Sequence, residues 1–202
     1  LVYVCKTRSP HCSLLMLDLI IRKHGIGDAM PLFAQTTQDR LTGLPSWEKF
    51  NQRAKKLVST DGAEGLCVAY MCVCNFGAYC IRKGADAGSD VLKLIATLLR
   101  EGTSTKLITR YESESFVAID SVDAIETLLE HINRRLPTDG EADGLVFKGG
   151  YCVLDDALSL DETLTRAMYA LEDIRYDSPV WSRMFDRGLE KVYNRRNYVI
   201  HH

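Results

Sequence analysis

The chain of 202 residues has no block of like charge, no long apolar run and no internal repeat. Each absence removes a class of function. Twenty-five Lys and Arg against 27 Asp and Glu leave a formal net charge of -2, with the two signs interspersed. Binding to a nucleic-acid backbone needs a basic surface, so no nucleic-acid partner is expected. The longest apolar run near the start, Leu14 to Ile21, contains Asp18. It falls far short of the ~20 residues that span a bilayer, and it lacks the layout of a signal peptide. No membrane insertion is expected of these residues. The chain begins at Leu1 rather than Met, which leaves open a longer protein with a membrane anchor upstream.

The spacing of metal-binding motifs is missing as well. Seven cysteines, Cys5, Cys12, Cys67, Cys72, Cys74, Cys80 and Cys152, make an odd number without small-domain disulfide spacing. Four of them crowd an apolar run between 67 and 80. They read as reduced, core-facing thiols of a cytoplasmic protein. Cys72 and Cys74 share one face of a strand, but no second Cys/His pair completes a tetrahedral site. Of the histidines, His11, His24, His131, His201 and His202, only His11 adjoins a thiol. Neighbouring side chains point in different directions, so a catalytic histidine is not expected.

What is present alternates helix and strand patterns. Ser13 to Gly25 suits a short helix, and Pro31 opens a second helical stretch over 31–38. A turn-rich segment, Asp39 to Pro45, leads to a helix capped by Ser46, with Trp47, Phe50, Ala54 and Leu57 on one face. Leu66 to Asn75 reads as a buried strand. Ser89 is placed as the cap of the next helix, whose stripe is Val91, Leu92, Ile95, Leu98 and Leu99. Two strand-like runs then flank "RYESESF", residues 110–116, as a hairpin without the glycine that a tight turn usually needs. A helix from Ser121, a strand over 145–154 and a helix opened by the capping box Ser159 to Glu162 follow. Val180 to Phe185 reads as a last strand and Asp186 to Val199 as a closing helix. One hairpin inside an alternating order predicts an α+β fold.

Four segments in order resemble the GGDEF domain of the diguanylate cyclase family over roughly residues 36–186. "DRLTGLP" at 39–45 is similar to the family's D-x-L-T-G-L-x-N-R, with Ser46 and Trp47 replacing Asn and Arg. "LCVAYMCVCNFGAYCIRKGADAGSDVLKLIATLLR", from Leu66, is similar without gaps to its first strand and following helices. "RYESESF" falls on R-Y-G-G-D-E-F, and "RAMYALEDIR" at 166–175 on A-D-x-A-L-Y-x-A-K. The resemblance implies a nucleotidyl-cyclase-like palm: a central, mostly antiparallel sheet with helices on both faces. Residues 1–35 then form an N-terminal helical segment of unknown role, and 187–202 a connector helix toward a downstream domain.

The family joins two GTP molecules into cyclic di-GMP across facing domains. It uses divalent metal to neutralise phosphate and align the attacking hydroxyl. Position by position, the resemblance implies a degenerate site. The metal-binding Asp falls on Cys72 and a second Asp on Cys74, and a neutral thiol is a poor ligand for Mg²⁺. The phosphate-contacting Lys falls on Gly77. The guanine-reading Asn and Asp fall on Cys80 and Ser89. The turn glycines become Glu112 and Ser113, where a side chain and a negative charge would crowd and repel phosphate. Glu114 keeps an acid at the third signature position, and Ser115 replaces the final Glu. Arg175 keeps the positive charge of the closing helix. The feedback-inhibition motif R-x-x-D falls on Thr103 and Lys106, so inhibition there is not expected.

No catalytic residue is therefore expected. Glu114 remains the one candidate metal ligand, though a solvated turn residue is the expected reading for it and for Glu112. Glu114, Arg175, Cys80 and Ser89 are the candidate nucleotide contacts, with Arg175 otherwise expected as a surface partner of Glu172 or Asp173. The reading is a catalytically inactive GGDEF-like module regulating a longer protein. No cofactor is expected, and Mg²⁺ only alongside a bound nucleotide. Two alternatives stand: a sensor that binds GTP without turnover, and a weakly active diguanylate cyclase using Glu114. "RMFDRGLEKVYNRRNYVIHH" resembles the connector into an EAL phosphodiesterase domain, which would be a partner in the same chain. A homodimer is a further candidate partner.

Overall fold

The computed structural model of the chain describes residues 37–61, 64–137, 144–155, 157–176 and 178–191. The helix expected over Ser13–Gly25 lies outside these, as do all but the last two residues of the one expected over 31–38 and the connector beyond residue 191; residues 37 and 38 form a bend and an isolated bridge from Gln38 to Pro45 rather than a helix. Within them the order is α1 (Trp47–Asp61), β1 (Leu66–Cys74), α2 (Phe76–Lys83), α3 (Ala85–Gly102), β2 (Leu107–Glu112), β3 (Ser115–Ser121), α4 (Val122–Asn133), β4 (Val146–Val153), α5 (Leu160–Ile174) and β5 (Ser182–Met184). The five strands form one sheet in the order β2-β3-β1-β4-β5. β1 runs antiparallel to β3 and β4, and β2 antiparallel to β3. Only β4 and β5 pair in parallel. The α+β architecture expected from the sequence is the one observed.

β1 is apolar throughout because both of its faces are covered. Ala69, Met71 and Val73 face a layer containing Ile95 and Leu99 of α3 and Ile125 and Leu129 of α4. Val68, Tyr70 and Cys72 face the other layer, with Phe50 and Ala54 of α1 and Leu164, Ala167 and Leu171 of α5. Period-two alternation along the strand thus sends adjacent residues into two separate cores. Cys67 and Cys72 are buried, whereas Cys74 and Cys80, also expected to be core-facing, are only partly so.

Sequence-level capping succeeds at three helices. Ser46, Ser121 and Ser159 each accept a backbone N–H, from Lys49, Ala124 and Glu162 respectively. It fails at Ser89, which lies inside α3. Asn75, with φ 62°, turns the chain out of β1 directly into α2. Asn tolerates this left-handed conformation better than most residues. Gly84, with φ 92°, then ends α2 and starts α3. The helical pattern therefore begins well before the serine that resembles its cap. The last strand is also shorter than expected, three residues of β5 rather than the full run over 180–185.

One contact fixes α5 against the sheet. A Cβ on Gly150 of β4 would lie 2.1 Å from the Leu171 nitrogen and 2.2 Å from the Ala167 oxygen. The helix backbone rests directly on the strand backbone there, which only glycine permits. Replacing Gly150 by Ala should destabilise the fold by about 3 kcal/mol, since backbone rather than side chain must move. Gly77→Ala, where no atom lies within 4 Å of the new Cβ, should stabilise by about 0.5–1 kcal/mol, as expected for a helical glycine. Denaturant midpoints of the two variants, moving in opposite directions, check this packing.

Candidate functional site

The β2–β3 hairpin turns through Ser113 and Glu114, with Glu112 opposite Ser115. Among the described residues, only Asn75 and Lys106 combine a side chain with positive φ, so the turn avoids the left-handed region. A register shift between Arg110 and Glu112 takes up the twist instead. Bulges do this at strand ends, which explains a hairpin turn with no glycine. Arg110 then ties the turn down. Its Nε donates to the Ser113 carbonyl at 3.0 Å, and one terminal nitrogen lies 3.3 Å from an Asp39 carboxylate oxygen.

Asp39 joins the hairpin to the segment "DRLTGLP". Its Oδ1 accepts from Thr42 N at 2.8 Å and Thr42 Oγ1 at 2.7 Å. Partial burial alone would raise the Asp39 pKa, but the Thr42 hydrogen bonds and the Arg110 charge outweigh it and hold it below the usual value. A terminal nitrogen of Arg100, on α3, donates to the Thr42 carbonyl at 3.1 Å.

The inner side of the turn meets the end of α5. Arg175, the C-cap of that helix, places one terminal nitrogen 2.8 Å from Glu172 Oε1 and the other 4.0 Å from Glu114 Oε1. The side chains are only 9% exposed for Arg175 and 13% for Glu114. Two expectations are corrected here. Glu114 is not a solvated turn residue, and Arg175 is not a surface arginine, because α5 rests on Gly150 and carries its end over the hairpin. The expected pairing with Glu172 is present. Burial works against the charge of Arg175, but the negative charge that a Cys72 thiolate would carry, together with the Glu172 carboxylate and its hydrogen bond, more than offsets it, so its pKa goes up.

Cys72 lies at the base of this cluster, fully buried, opposite Ser115 on β3 and Lys148 on β4. Burial pushes its thiol up to about 12, despite an opposing effect from Arg175. At neutral pH it is an uncharged thiol. Ser115 accepts a hydrogen bond from the buried Tyr70 hydroxyl at 3.0 Å. Lys148 escaped the sequence reading. It is 6% exposed, and its Nζ donates to the carbonyls of Ile174 at 2.8 Å and Ser178 at 2.7 Å. Cys74 Sγ lies 3.6 Å from the Arg175 carbonyl. A cation and a thiol thus satisfy carbonyls around the end of α5, where positive charge is favoured. A lysine inside the apolar run of β4 was the available signal.

The other candidates divide. Glu112 is half-buried on the hairpin. Cys80 and Ser89 lie on neighbouring helices, and the Cys80 sulfur packs over Gly88, 2.4 Å from where a Cβ would stand. Burial raises the Cys80 pKa, and the Glu114 charge adds to it. Thr103 is buried and donates to the Leu99 carbonyl at 2.7 Å. Lys106 donates to the carbonyls of Arg100 and Glu101 at 2.9 and 3.3 Å, closing α3.

These residues do not fit a hard divalent ion. Mg²⁺ takes oxygen ligands in near-octahedral geometry and usually needs carboxylates. At the two positions that resemble the family's metal ligands, Cys72 and Glu114, the cluster offers one neutral thiol and one carboxylate already facing a guanidinium, and the further carboxylate of Glu172 lies 2.8 Å from the same guanidinium. No group of three or more His, Cys, Asp or Glu is placed to hold a metal among the described residues.

Comparison with known proteins places this geometry. The family profile described as diguanylate cyclase, GGDEF domain, matches residues 36–177. The GGDEF domain of DgcB from Caulobacter crescentus, solved in complex with c-di-GMP, superposes with a TM-score of 0.62 at 18% identity, covering 76% of this chain and 98% of that one. The GGDEF domain of PA1120 (TpbB or YfiN) from Pseudomonas aeruginosa gives a TM-score of 0.65 at 19% identity, with 78% and 99% covered. The active GGEEF domain of a diguanylate cyclase from Vibrio cholerae gives 0.58 at 18% identity, with 70% and 94% covered. No curated protein sequence matches the chain.

The Asp39 contacts predict a pH dependence. Its folded pKa lies below the unfolded value, so the stability it adds is present above that value and is lost on acidification through the folded pKa. Asp39→Asn should cost about 1 kcal/mol at pH 7. The deficit should begin to shrink at about pH 4, the unfolded value, and disappear only as the pH falls through the lower folded pKa. Parallel denaturation of the two proteins from pH 7 to pH 2.5 measures it, and a constant deficit would contradict the assignment.

Proposed function

For this chain, which belongs to the diguanylate cyclase GGDEF-domain family, we propose a regulatory role in cyclic di-GMP signalling without cyclase chemistry. The observation that carries this reading is the pairing of Glu114 with Arg175 beside a neutral Cys72. Phosphoryl transfer between two GTP molecules depends on metal to neutralise developing charge. Here the acid that would attract the metal faces an internal cation, and its partner position offers a buried sulfur.

Other residues support the same reading. Gly77 brings no charge to a phosphate. Cys80 and Ser89 cannot reproduce the paired amide and carboxylate that read a guanine edge, and a site built for such polar reading loses much when those groups change. Lys106 and Thr103 are engaged in closing α3, which leaves no R-x-x-D for product to inhibit. Residues 36–186 would then act through contacts, passing a signal along 187–202 to a phosphodiesterase domain of the EAL type in the same cytoplasmic protein, with a homodimer as the assembly. No helix among the described residues is long and apolar enough to cross a membrane.

Incubation of the protein with GTP and Mg²⁺ should yield no cyclic di-GMP on chromatography, and calorimetry should give no saturable micromolar heat. Cys72→Asp alone should not restore turnover, because the turn and guanine positions also differ. Substantial product from clean protein would overturn the reading. Saturable GTP binding without product would replace it by that of a nucleotide sensor.

A further inference from the structure

Arg175 stands between two carboxylates that need compensation. Glu172 lies 2.8 Å from one terminal nitrogen and Glu114 4.0 Å from the other, while its charge reaches the thiol of Cys72. Two carboxylates this poorly exposed repel each other strongly unless a cation lies between them. Lys148, a second cation at the end of α5, is bound to two carbonyls, and its influence falls on Cys74. On the other side Arg110 is held by Asp39 and Ser113. Neutralising Glu114 therefore falls to Arg175.

We propose that Arg175 is the resident cation of the hairpin site, holding Glu114 against the end of α5 so that the turn keeps its shape with neither metal nor nucleotide present. This deepens the proposed function and rests on it: a domain that signals by contact needs a defined surface at this end without a ligand. The pair also joins elements that leave the site in different directions. Glu114 O accepts from Val73 N at 3.1 Å, fixing the turn to β1. Arg175 stacks its guanidinium 5.7 Å from the Tyr176 ring centroid, on the segment leading to β5. The hairpin and the chain exit are therefore linked through one side chain.

The test is hydrogen exchange of the Val73 amide in the intact chain, which reports the turn through its bond to Glu114. Arg175→Met, which keeps an unbranched apolar stem and removes the charge, should speed exchange by about tenfold or more. Arg175→Lys should recover most of that protection, since it restores the charge. Glu114→Gln should speed exchange comparably, and combining it with Arg175→Met should add little. Neither Mg²⁺ nor EDTA should alter exchange in the unmodified protein. Equal loss in the Lys and Met variants, additive effects in the double variant, or slower exchange with Mg²⁺ would each overturn the proposal. If Arg175→Met does not fold, Glu114→Gln and Arg175→Lys decide it. Cyclic di-GMP formation, assayed on the same samples, would overturn the regulatory reading separately.

Discussion

The close approach of α5 to Gly150 governs the geometry of the whole open end of the sheet. Because the helix backbone touches the strand backbone, α5 cannot slide without opening the second core layer. That fixes where the helix ends, and therefore where Arg175 meets the hairpin. Lys148, two residues before Gly150 on the same strand, is brought under the end of the helix by the same contact and caps its carbonyls. A constraint without any polar chemistry thus decides the electrostatics of the site.

Those electrostatics are nearly balanced within the cluster. Glu114 and Glu172 bring two negative charges, and Arg175 and Lys148 bring two positive ones. Cys72 contributes none, since burial keeps its thiol protonated. Removing one member of such a partly desolvated set is costly because its partner is left uncompensated. A carboxylate at Cys72 would add charge that a divalent ion could balance. With a thiol there, the protein's own cations are sufficient. The hairpin is also gripped from outside by Arg110 and Asp39, so the turn is defined from both sides without glycine.

Much of the fold was legible in the sequence, since it lies in periodicity and caps. The stripes of α3 and α4, the continuous apolar run of β1 and the capping box at Ser159 each express one physical rule. The misses have physical reasons too. Ser89 resembled a cap, but the backbone conformations of Asn75 and Gly84 had already set the helices. The candidate site was legible as positions rather than as an arrangement. Cys72, Glu114, Ser115 and Arg175 do come together, whereas their burial depends on Gly150 and on α5, which no local pattern reveals. Glu114 looked like an exposed turn acid for that reason. Lys148 was overlooked because a lysine in a buried strand has meaning only when the carbonyls it caps are known.

Titration of the intact chain with Mn²⁺, followed by electron paramagnetic resonance, tests most directly whether this end of the sheet holds a divalent ion. With Arg175 balancing Glu114 and a protonated thiol at Cys72, free Mn²⁺ should decline only in proportion to weak, non-saturating surface binding. A saturable micromolar site that disappears in Glu114→Gln would contradict the assignment of Arg175 as the cation there.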